Sequence, residues 1–281
     1  MYVISLSSIP SRFADLPRVL EALLAQRRRP AEVRLYIPRR YRRFPDYDGA
    51  LPDVPRGVEI CRVDEDLGPA TKVLFAAQAL RGEDVDLLYC DDDRLYTPIW
   101  AETLLAARPA HPRAALCLQG FHLRHIGLPE VTEPAPRMRR GRGKRDPVYR
   151  LHRAWQALRW GGSARVPPFV RARPRSFARS GHVDIAEGLS GVAIRPDFLD
   201  DAAMEIPPVL WAVDDVWLSG QMMRRGVPVW LHATRARLFV DLPSQRDAMA
   251  LHRQVIDGED RSGANRAAVA ALQERYGIWR G

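Results

Sequence analysis

The 281-residue chain has no apolar run near the roughly 18 to 20 residues that a membrane-spanning helix needs. Its opening, MYVISLSSIPSRF, carries no basic stretch ahead of a long apolar one, so a secretory leader is not expected there. Cysteine is scarce. Cys61, Cys90 and Cys117 are scattered and lack metal-ligand spacing. A disulfide framework is therefore not expected, and the thiols suit a reducing compartment. The phosphate-cradling pattern G-x-x-x-x-G-K-[ST] is missing too, although DLGPATK contains Gly68, Thr71 and Lys72. Repeats and long low-complexity tracts are also absent.

Positive charge is in excess and unevenly placed. The net charge is +9, yet residues 137–179 hold fourteen Lys and Arg against one acid, Asp146. That stretch is +13 and the rest of the chain is −4. The pattern is a mildly acidic domain carrying a basic segment, not a uniformly basic nucleic-acid binder. The apolar content of 46% is ordinary for a globular protein, and the length allows a sizeable core.

Continuous apolar runs at 2–8, 33–38, 58–63, 85–90, 114–119, 191–194 and 228–233 predict strands. Helical patterns lie between them at 69–80 and 98–107, after Asp15, after Pro196, and from Asp214 or Asp215 to about Arg225. Asp15 is expected to cap its helix. A last amphipathic helix is expected at 265–277. Strands without polar alternation, separated by helices of about ten residues, indicate an α/β fold with a mostly parallel sheet flanked by helices. Three stretches are expected: 1–128, an α/β half; 129–182, a basic insertion rich in Pro, Gly and Arg; and 183–281, a second half ending in a helix. The insertion contains Tyr149, Trp155, Trp160, Phe169 and Phe177, with a short amphipathic helix at 152–160.

The most pointed chemistry is in LLYCDDDRLYTP, residues 87–98. Asp91, Asp92 and Asp93 stand together where an apolar strand ends. Like charges at that spacing raise one another's pKa unless a cation or solvent separates them. In open α/β sheets, the C-terminal strand edge is where ligands bind. Two carboxylates one residue apart can hold a hard cation such as Mg²⁺ or Mn²⁺. A phosphatase-type Asp-x-Asp-x-Thr arrangement is discounted because Leu95 occupies the Thr place.

SLSSIPSRF, EDLGPATKV, CDDDRLYTP, EGLSGVAIRP and DDVWLSGQMMRRGVPVW occur in that order over residues 1–232. Together they resemble nucleotide-sugar-dependent glycosyltransferases of the GT-A fold, bacterial family 2-like and galactosyltransferase-like. The resemblance implies a donor diphosphate bridged by Mn²⁺ or Mg²⁺ on Asp91 and Asp93. It implies a nucleotide pocket drawing on Ser8, Arg12, Lys72, Asp92 and Gly191. It also implies a general base in the acidic pair, with Asp215 favoured over Asp214 as the residue that deprotonates the acceptor hydroxyl. Some such enzymes use a late His as a third metal ligand, the place His232 occupies. Trp211 and Trp217 are candidates to stack on a sugar.

The resemblance implies a metal-dependent, inverting hexosyltransferase that uses a UDP-sugar and a glycan acceptor in surface polysaccharide synthesis, and the protein is expected in the cytoplasm. The alternative is a non-catalytic GT-A-like module that binds anionic glycans or membranes. The basic segment has three readings: a loop near the acceptor cleft, a surface for anionic lipid or polysaccharide, or a solvated insertion. No specific nucleic-acid partner is expected.

Overall fold

Strands that are apolar along their whole length need cover on both faces, and the chain supplies it. The computed structural model describes residues 1–167, 171–172, 174, 176–242 and 261–280. Phe169, Arg173 and Arg175 of the basic segment lie outside these residues. An eight-stranded sheet is built from β1 (Tyr2–Ser7), β2 (Glu32–Pro38), β3 (Val58–Val63), β4 (Asp86–Tyr89), β5 (Ala115–Cys117), β6 (Gly181–Val183), β7 (Val192–Ile194) and β8 (Val229–Leu231). The order across the sheet is β6-β8-β5-β7-β4-β1-β2-β3. β6 and β7 run against the other six. This is the mixed, mostly parallel α/β class expected from the sequence.

β4 shows why its run is continuous. Leu87 and Tyr89 enter one core, while Leu88 and Cys90 enter the other. The first core is covered by α2 (Thr71–Ala79), α5 (Asp214–Arg224) and α6 (Arg261–Tyr276). The second is covered by α1 (Leu16–Leu24) and α3 (Trp100–Leu105). α1 packs Leu16, Val19, Leu20 and Leu23 inward, a helical stripe readable from spacing alone. β7, from the last third of the chain, sits between β4 and β5, which precede it by more than 70 residues. All three cysteines are free.

Several local expectations are corrected. The Asp15 side chain makes no capping bond; the chain enters α1 after a 3-10 turn at Pro10–Arg12. Pro196 opens only a three-residue 3-10 turn, Pro196–Phe198. The helix of the basic segment, α4 (Pro147–Arg159), starts five residues before the expected 152 because Asp146 caps it, accepting from the Val148 N–H at 2.9 Å. Short pairs were not anticipated: Arg94–Tyr96 with Phe239–Asp241, Gly120–Phe121 with Ile185–Ala186, and Arg139–Arg140 with Phe177–Arg179. Two or three residues are too few to carry a period. The last pair ties the start of the basic segment to its end. Arg137 also pairs with the fully buried Asp184, which accepts from the Leu123 N–H at 2.9 Å.

Gly191 has φ +88°, and an added Cβ would stand 2.3 Å from Cζ2 of the buried Trp100. Gly191→Ala should therefore cost about 3 kcal/mol through overpacking and backbone strain. Calorimetry should show a Tm lower by roughly 10 °C. Trp100→Phe should cost less in the Gly191→Ala background than in the wild type.

Candidate active site

β1 and β4 are neighbours, so the loop after β1 lies beside the acidic turn after β4. Tyr96 pins that turn: its hydroxyl accepts the Asp91 N–H at 3.1 Å and lies 3.3 Å from the Asp91 carbonyl. Asp92 is buried with both oxygens engaged, by Ser8 Oγ and by Arg12 Nη1, each at 2.5 Å. Arg12 Nη2 lies 3.3 Å from Asp93, and Arg94 Nε lies 3.8 Å from the other Asp93 oxygen. Lys72, in the first turn of α2, donates to Asp91 Oδ1 at 2.7 Å. The protein's own cations thus meet all three carboxylates.

Lys72 Nζ also lies 2.9 Å from Asp214 Oδ2. Asp214 and Asp215 occupy the first turn of α5, where acids complement the helix dipole. Neither is the cap, because that position is Val213. Asp215 Oδ1 accepts the Gly188 N–H at 2.8 Å. A Cβ on Gly188 would stand 3.2 Å from both Asp215 Oδ1 and Lys72 Nζ, so the small residue lets backbone reach the charged cluster.

The carboxyls diverge in acidity. Burial pushes Asp91 up, but Lys72, Arg94 and Arg12 outweigh it and hold Asp91 below the ordinary value. Burial and the charges of Asp91 and Asp92 push Asp93 to about 6 against Arg12 and Arg94. Burial and Asp214 push Asp215 to about 8, opposed by Lys72 and the Gly188 N–H. Burial disfavours the Lys72 charge, yet Asp214, Asp91 and Asp215 keep its pKa well above normal.

These groups line one cavity of about 330 Å³, which contains Ser8, Arg12, Lys72, Asp91, Asp92, Asp93, Asp214 and Asp215. Gly191 and His232 are not among its lining residues. The space a Gly191 side chain would take is filled by Trp100. His232 follows β8, and β5 and β7 lie between β8 and β4, a separation of about 14 Å at ordinary strand spacing. Among the described residues, no three of His, Cys, Asp and Glu form a group that could hold a metal. The set Asp91, Asp93 and His232 is therefore not assembled, and only the two carboxylates share the cavity.

Trp211 lines the cavity wall, its Nε1 donating to the Asp66 carbonyl at 3.1 Å. Trp217 is core, its Nε1 donating to the Ala203 carbonyl at 2.8 Å. Sequence reasoning missed Tyr41, Arg43, Phe44 and Asp66 in the lining. Tyr41 donates to the Ser8 carbonyl at 2.8 Å. Asp66 accepts the N–H groups of Arg42 and Gly68, each at 2.8 Å. The only available signal was Asp66 two residues before Gly68 of the GP turn. A second cavity, about 480 Å³, is lined by Tyr149, His152, Phe177, Ser190, Arg235 and Arg237 among others. Ser190 lines it from a turn whose Leu189 lines the first cavity.

No protein-family model matches the chain, and no curated protein sequence matches it. Among solved structures, it is similar to S. aureus TarS 1–349 in complex with UDP: 10% identity, TM-score 0.43, covering 98% of this chain and 71% of that one. A second structure of TarS 1–349 gives TM-score 0.44 at 10% identity, covering 99% of this chain and 72% of that one. A structure of TarS gives TM-score 0.42 at 10% identity, covering 99% of this chain and 43% of that one.

Lys72→Met would leave Asp91 and Asp214 without their shared cation. We expect a loss of about 3 kcal/mol in urea unfolding near pH 8. The loss should shrink toward pH 4, because Asp91 without Lys72 is buried and takes up a proton there, and be partly restored by Asp214→Asn. An unchanged midpoint at pH 8 would show that the ion pairs do not stabilise the fold.

Proposed function

We propose that the chain is a GT-A-type glycosyltransferase. It takes a nucleotide sugar, a UDP-sugar in this reading, and passes the hexose to a glycan hydroxyl with inversion. The observation that carries the proposal is the shared cavity: a strand-end carboxylate triplet flanked by cations, with a carboxyl that titrates near pH 8 on the facing helix. Residues 1–128 contribute the nucleotide side and residues 183–281 the acceptor side of one continuous sheet.

Asp91 and Asp93 are the residues that would hold Mn²⁺ or Mg²⁺. Their oxygens are hard donors, and the raised pKa of Asp93 marks negative charge that Arg12 and Arg94 only partly offset. When bound, the ion supplies Lewis-acid stabilisation of the departing diphosphate. Asp92, held by Ser8 and Arg12, supports the turn that presents its neighbours. Lys72 keeps Asp91 ionised and ties it to α5.

Asp215 is the base. The Gly188 N–H orients its carboxyl, and a pKa of about 8 makes its ionised form a stronger proton acceptor than an ordinary aspartate. An acceptor extending past the 188–190 turn would run toward the second cavity, whose aromatic and Arg side chains suit a saccharide. The protein acts in the cytoplasm in this reading. Among the described residues, no helix is long and apolar enough to cross a membrane.

UDP release can be followed from UDP-hexoses with a panel of saccharide acceptors. Asp215→Asn should lower transfer by about 10²- to 10⁴-fold while donor affinity is kept. Asp215 must be ionised to act, so wild-type kcat/KM should rise with pH and level off above a midpoint near 8. Undiminished transfer in the variant, or a flat profile from pH 6 to 9, would remove Asp215 from this role.

A further inference from the structure

α4 turns its apolar stripe outward. Val148, Leu151, Trp155 and Leu158 are spaced by three, four and three residues and are 55%, 74%, 56% and 85% exposed. Trp160 at the helix end is 41% exposed. Five of the eight exposed large hydrophobics among the described residues therefore lie on one helix and the residue that follows it. The inward side is polar by comparison: Gln156 is buried, and its side-chain oxygen accepts the Ala172 N–H at 2.8 Å. An apolar face turned away from the core is the reverse of what a self-contained domain needs.

The charges around this face identify what it meets. Arg142, Lys144, Arg145, Arg150 and Arg159 are exposed on or next to α4. Asp146, the one acid of the segment, is committed to capping the helix. We propose that α4 docks on the surface of an anionic phospholipid bilayer, its apolar stripe in the acyl boundary and its cations among the headgroups. A second copy of the chain would bring the same +13 segment against itself. An anionic polysaccharide would answer the charge but offers no apolar phase for Leu151 and Leu158. The two Trp residues suit the interface, where an indole keeps its N–H wet and its ring in the apolar layer. Val148, Tyr149 and His152 also line the second cavity, so docking holds that cavity at headgroup level. This proposal does not depend on the transfer chemistry.

The test is co-sedimentation of the full chain with phosphatidylcholine vesicles, alone and with phosphatidylglycerol. Binding should require the anionic lipid and weaken with salt. Brominated acyl chains should quench the tryptophan emission. Leu151→Ser with Leu158→Ser should weaken binding by about tenfold or more, with circular dichroism and thermal unfolding unchanged. Three results would overturn the proposal: no vesicle binding; binding without quenching that the double variant leaves intact; or a concentration-dependent dimer without lipid that the double variant abolishes.

Discussion

The site is organised around one buried ammonium. Lys72 joins Asp91, at the end of β4, to Asp214, at the start of α5. A buried ammonium loses several kcal/mol of hydration, which only well-placed carboxylates can offset. Its position is set from β1 as well, because Ser5 Oγ donates to the Lys72 carbonyl at 2.6 Å. Two strands and two helices therefore converge on one charge. Gly188 has to be small because Lys72 Nζ and Asp215 Oδ1 lie against it.

The same arrangement separates acidities that would otherwise coincide. Asp91 has Lys72 in contact and stays below the ordinary value. Asp93 has two anionic neighbours and cations at longer range, and reaches about 6. Asp215 is raised by burial and by the charge of Asp214, against Lys72 and the Gly188 N–H, and reaches about 8. Carboxyls of one residue type are thereby set to different acidities within one cavity. Elsewhere, Arg142, Lys144, Arg145, Arg150 and Arg159 are exposed around an apolar helix face.

What was legible in the sequence followed from local rules. Apolar runs without polar alternation marked strands covered on both faces. The triplet after LLYC was readable at the C-terminal edge of a strand, and the acids Asp214 and Asp215 were readable at the start of a helix. What was not legible depended on distant partners. Gly191 reads as room for a ligand, but its missing Cβ accommodates Trp100, far back in the chain. Arg12 reads as part of a nucleotide pocket, and the sequence does not show that its guanidinium spans Asp92 and Asp93. His232 reads as a ligand until sheet order sets two strands between it and the triplet. Tyr41, Arg43 and Phe44 lie in an Arg- and Pro-rich loop with no period, and only the folded loop brings them to the cavity. The Asp-Pro start of α4 was a readable signal that the amphipathic pattern alone does not extend to.

The central claim is that the cavity between the acidic triplet and α5 receives a nucleotide diphosphate together with a divalent ion. Isothermal calorimetry of UDP with and without Mn²⁺, on the wild type and on Asp93→Ala, tests it most directly. The account predicts saturable UDP binding that requires Mn²⁺ and is lost in Asp93→Ala. UDP binding that ignores the metal, or that Asp93→Ala leaves intact, would contradict it.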